Sequence, residues 1–136
     1  MFLHVIEDDL LQNIDAAFRE QYPYLRLVFY KNPHSEGMAS DPKERLNPST
    51  PVEEAVMFHT AGNIDISPER VVAELEADFF HKLGLCVQVA RLSGDQYIIT
   101  TETDYWTLQQ QNDAGREHSK PREHERPEEA GLLDAD

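Results

Sequence analysis

Six histidines, one cysteine and 26 carboxylates are the side chains in this 136-residue sequence that could bind a metal or move a proton. The histidines stand at positions 4, 34, 59, 81, 118 and 124, and neither His-x-x-x-His nor Glu-x-x-His spacing occurs among them. Those spacings matter because they let one helix turn two ligands toward one ion. Glu74, Asp78 and His81 come nearest, since intervals of four and three place them along one side of a helix. They lie off that helix's apolar stripe, so a solvated face with an Asp78–Lys82 pair accounts for them, and the sequence predicts no metal and no other cofactor. Nucleophilic catalysis leaves no pattern either, because no Ser, Thr or Cys has a base at a telling position. Cys86 sits within Leu85-Cys86-Val87, away from any group that would stabilise a thiolate, and reads as a buried structural thiol. The six glycines are scattered and form no phosphate-binding turn. Pairs such as Glu53-Glu54 stand at helix starts, where the helix dipole favours negative charge.

What positions these residues is an internal repeat. Residues 3–30 and 64–91 superpose at an offset of 61, matching Leu3 with Ile64, Leu10 with Val71, Ile14 with Leu75 and Phe18 with Phe79. Each copy reads strand, helix, strand, with the helical stripe at the 3.6-residue period. Strands are predicted near 2–6, 25–30, 63–66 and 86–92, and helices near 9–22 and 68–83. Asp8 or Asp9 and Ser67-Pro68 are the start signals, and Gly84 is a stop. Two such units in one sheet give an α+β, ferredoxin-like split βαβ fold. Ser93-Gly94-Asp95-Gln96 predicts a turn into a fifth strand over Tyr97–Thr103, and Thr107 with Gln110 a capping box opening a short helix near Trp106. In the second strands, Leu25, Leu27 and Phe29 align with Cys86, Gln88 and Ala90. Either one copy is shifted by a residue or its strand is central and buried on both faces.

The folded domain is expected over 1–112, with a long inserted loop at 31–61 that carries a short helix opened by Thr50-Pro51, and a disordered acidic tail at 113–136. If Leu3, Val5, Leu27 and Val89 face the helices, an open sheet face presents Phe2, His4, Arg26, Tyr30, Gln88 and Arg91.

The stretch Gly84–Gly94, with Val87-Gln88-Val89-Ala90-Arg91-Leu92-Ser93-Gly94, and the stretch Thr103–Asn112, with Thr103-Asp104-Tyr105-Trp106-Thr107-Leu108 and Gln111-Asn112, resemble a small family of bacterial α+β proteins without assigned function. The resemblance covers roughly residues 60–112, and Tyr22–Leu25 and Lys31–His34 more loosely. It implies no activity. Within it Trp106 reads as a packing anchor for the closing helix or a contact point for a partner.

A net charge of −14, of which −10 falls in residues 1–111, opposes nucleic acid, and no apolar run approaches the roughly 20 residues of a membrane span. A single cysteine and an N-terminus without a basic leader point to the cytoplasm. These features predict a non-enzymatic interaction or regulatory domain, homodimeric through the sheet face or an edge strand, with a basic protein or peptide as a further partner. The alternative is a small-ligand-binding or enzymatic domain with a pocket between the 31–61 loop and the open sheet face. His34, His59, Arg91 and Glu102 are its candidate polar groups, with Trp106 at the same surface.

Overall fold

Alternate burial along Phe2–Val5 makes the first strand, β1, with Leu3 and Val5 inward. The computed structural model describes residues 1–33, 40–56, 61–119 and 131–132. After β1 come α1 (Leu11–Gln21), β2 (Leu25–Tyr30), a 3-10 turn at Pro42–Glu44, α2 (Val52–Ala55) and β3 (Gly62–Asp65). Then follow α3 (Val72–Leu83), β4 (Cys86–Ser93), β5 (Gln96–Ile99), α4 (Leu108–His118) and β6 (Gly131–Leu132). The result is an α+β fold with four helices and two antiparallel sheets among the described residues, β6 adding in parallel to β5.

The two long helices begin later than their polar start signals suggest. Leu10 and Val71 are the N-cap residues, neither with a side-chain cap. Their place is set by remote chain: Leu10 bridges Pro51 and Val71 bridges Thr107. The first free N–H groups of α1 donate to the carbonyls of Thr50 and Pro48, and those of α3 to the carbonyls of Trp106 and Asp104. Backbone acceptors thus satisfy donors that Asp9 and Ser67 would otherwise cap. Asp9 instead accepts from Leu10 N and the Asn13 amide, and Ser67 donates its hydroxyl to Asp65. The C-terminal stop is as expected, since Gly84 takes the left-handed conformation at φ 69° that glycine adopts without strain. Thr107 and Gln110 close their reciprocal capping box.

The four strands of the two repeated units do not share one sheet, as the ferredoxin-like expectation had them. Among the described residues β1 pairs with β3 alone, whereas β2, β4, β5 and β6 form a second sheet in that order. The free edge of β2 is taken by its own following chain: Tyr30 bridges Arg45, and Leu46 N donates to Phe29 O. Leu25, Leu27 and Phe29 share the helix-facing core with Val87 and Val89 rather than with Cys86, Gln88 and Ala90, so the second strands are shifted by one residue relative to the helices. β4 is also central and buried on both faces, so both alternatives left open by the sequence hold together.

One face of this sheet joins Leu25, Leu27, Phe29, Val87 and Val89 to the stripes of α1 and α3 and to Leu108 of α4. The other gathers Val28, Tyr30, Ala90, Leu92, Tyr97 and Ile99 into a second buried cluster. The face expected to be open is therefore closed at Tyr30 and Gln88, 1% and 2% exposed. Phe2 and His4 are exposed, but on the separate β1–β3 sheet, and Arg26 and Arg91 are half-buried. Helix α4 runs on to His118, and β6 lies within the expected tail, whose residues 120–130 and 133–136 are outside the described chain.

Candidate functional site

Helix α3 turns Val72, Leu75, Phe79 and Leu83 into the core and leaves Ala73, Ala77 and Phe80 on an adjoining flank. Beside that flank lies a cleft of about 460 Å³, bounded also by Pro33, by Cys86 and Val87 at the start of β4, and by Asp104. Its polar rim is acidic: Glu74, Glu76 and Asp104, with His81 at the far end of the helix. No lysine or arginine is among the described lining residues. Asp104 is held there by its own backbone, whose carbonyl accepts the Ala73 N–H at 2.7 Å.

Glu76 is the anchored member. Only 8% exposed, it accepts the Val89 N–H at 3.0 Å through Oε2. Its counterpart 61 positions earlier, Asp15, accepts the N–H of Leu27, the cross-strand partner of Val89, at 2.7 Å. Each long helix thus sends one buried carboxylate to the same register pair of the sheet. Burial holds the Asp15 carboxyl above its ordinary range, outweighing the Leu27 N–H and the Arg26 and Arg19 guanidiniums, which pull it down. The Cys86 thiol is likewise pushed up by burial and then by the Glu44 carboxylate, which disfavours the thiolate a nucleophile needs.

The candidate residues from the sequence separate into three groups. Arg91 and Trp106 are brought together: the guanidinium lies 5.6 Å from the indole centroid, donates to Gln111 Oε1 at 2.6 Å and reaches Thr103 Oγ1 at 3.3 Å. Glu102 is exposed on the neighbouring turn, apart from the cleft. His34 and His59 lie outside the described residues. Of the helical trio, Glu74 and His81 face the cleft while Asp78 turns to Arg70 and Lys82, so the three do not converge. Among the described residues no group of three His, Cys, Asp or Glu side chains could hold a metal ion.

The Arg91 network is a fastener rather than a pocket. Gln111, fully buried, also donates to the Thr103 carbonyl at 2.6 Å, and Asn112 Oδ1 accepts the Tyr24 N–H at 3.0 Å. These contacts lock α4 onto β2 and β4, which is work for the very residues that stand out in the Thr103–Asn112 segment. The cleft itself was missed by reasoning on histidines and loops. Its signal was the run Ala73, Ala77, Phe80, apolar at helical spacing yet off the core stripe.

No protein-family model, no curated protein and no solved structure matches this chain. No helix among the described residues is long and apolar enough to cross a membrane.

Proposed function

We propose that this protein is a non-enzymatic interaction or regulatory domain of the cytoplasm that captures a partner at the α3 cleft and works as a homodimer. The observation that carries the reading is the cleft itself, an apolar floor with a carboxylate rim and a thiol whose ionisation is disfavoured. Such a site offers shape and charge for recognition and, among its described residues, no activated group for turnover. Support for the dimer comes from the β1–β3 sheet, a two-stranded unit with Phe2 67% exposed and Ile6 42% exposed beside it. The matching roles of Asp15 and Glu76 support a fold built from two copies of one strand–helix–strand unit, with the strands divided between two sheets. The Thr103–Asn112 segment marks the protein as a relative of small bacterial α+β proteins without assigned function in the same proposal.

Native mass spectrometry of the full chain, purified without added metal or ligand, tests this. The expected spectrum is a dimer of unmodified mass that becomes a monomer on Phe2→Lys. A stoichiometric small-molecule adduct would overturn the reading in favour of a ligand-binding or enzymatic domain, and a monomer at micromolar concentration would remove the dimer.

A further inference from the structure

The α3 cleft has a length, a floor and a charge, and together they specify an occupant. From Ala73 to His81 the helix flank rises about 12 Å, the span of three to four residues of extended chain. A volume of about 460 Å³ falls within the usual range for occupied sites, roughly 300–1,000 Å³, and admits two or three side chains. The floor is apolar, with small Ala73 and Ala77 one turn apart and a half-buried Phe80 ring beyond them. Other exposed positions of α3, such as Glu74, His81 and Lys82, carry long polar side chains, so the alanines mark the sector that a larger side chain would fill. The rim adds three carboxylates on a chain of net charge −14, which attracts cations and repels phosphates and acidic ligands.

We propose that the cleft binds a short basic, amphipathic peptide segment of a partner protein. An apolar side chain of the peptide lies against Ala73, Ala77 and Phe80, and a flanking lysine or arginine lies against Glu74 and Asp104. The proposal rests on the interaction reading and adds the partner's chemistry to it. A linear site open along a helix flank suits an extended peptide better than a compact amine. Glu76 is fixed beneath the rim by its bond to Val89.

The test is an amide NMR titration of the full chain with terminally blocked Leu-Lys-Leu-Lys, with Leu-Glu-Leu-Glu, and with butylamine. The lysine peptide is expected to shift Ala73, Ala77, Phe80 and Val87, with binding that weakens as salt is raised. Glu74→Gln, an exposed change, should weaken it by about twofold to fivefold, the worth of one solvent-exposed ion pair. Ala77→Leu should abolish it by filling the floor while circular dichroism stays that of the parent. Equal binding of the acidic peptide would overturn the charge assignment and leave an interaction domain standing. Butylamine binding as tightly as the peptide would replace the peptide with a small amine. Absence of any peptide shift in the folded protein would overturn the inference, and a small molecule retained in the native spectrum would overturn the reading beneath it as well.

Discussion

Replacing Asp15 tests the argument that the long helices are bolted to the sheet by buried carboxylates. The residue is 4% exposed, its Oδ1 accepts the Leu27 N–H at 2.7 Å, and Oδ2 lies 3.2 Å from Arg19 Nε and 3.5 Å from Arg26 Nη2. Asp15→Ala leaves the Leu27 N–H without its acceptor inside the domain, a loss of about 1–3 kcal/mol. The two arginines are partly solvated and add at most about 1 kcal/mol each. The expected destabilisation is therefore about 2–4 kcal/mol, a large part of the roughly 5–15 kcal/mol that holds a domain of this kind together. Urea unfolding followed by far-UV circular dichroism measures it, with the slope checked for constancy. Asp15→Asn separates charge from hydrogen bonding, because the amide keeps an acceptor oxygen and cannot ionise. Burial raises the Asp15 pKa in the folded state, so the folded protein holds the proton where the unfolded chain has released it. The stability linked to this group is fully present below the unfolded value near 3.8 and is lost as pH rises through the folded value. The parent should accordingly lose stability relative to Asp15→Asn as pH is raised from about 3.8. A stability difference that stays flat from acid to neutral pH, or an alanine loss below about 0.5 kcal/mol, would refute the bolt; both lie outside the range expected for an orphaned buried donor.

Two further outcomes follow from the fastening of α4. A Cβ at Gly115 would stand 2.8 Å from Tyr24 Cβ and 3.2 Å from its carbonyl oxygen. Because the nearest atoms are the Cβ and backbone of Tyr24 and not the end of a flexible side chain, Gly115→Ala should lower the melting temperature through a net loss of about 1–2 kcal/mol, although alanine is the better helix former; a rise in melting temperature would contradict the close approach. Gln111→Ala removes the acceptor of Arg91 and the donors to Thr103, and should cost about 2–3 kcal/mol and shift Trp106 emission to the red. Unchanged emission and stability would show that the network does not hold the helix.

Local chemistry was legible wherever the partner of a residue lay a few positions away. Gly84 stops α3 and Thr107 pairs with Gln110 because both signals are complete within one helical turn. Cys86 is buried, as its apolar neighbours required. The starts of α1 and α3 were not legible, because their N–H donors go to carbonyls from 31 to 39 residues away, at Thr50, Pro48, Trp106 and Asp104. Arg91 and Trp106 were both singled out in the sequence, but as groups at a surface. Their mutual contact, with Gln111 accepting from Arg91 beside it, exists only once α4 has folded back on β4. The cleft was half visible, in an apolar run off the stripe of α3, while Pro33 and Asp104, which bound it, come from loops that no periodicity describes.

The amino-acid order by itself determined the elements, the turn glycines, the inward stripes and the acidity, since each depends on side-chain type and on periods of two or 3.6 residues. Tertiary structure alone decided that β1 and β3 would form their own sheet, that β4 would be covered on both faces, and that Asp15 and Glu76 would meet one register pair. Those outcomes turn on which backbone donors and acceptors find each other across long stretches of chain. Backbone groups are the same at every residue, so the sequence carries no local record of that choice.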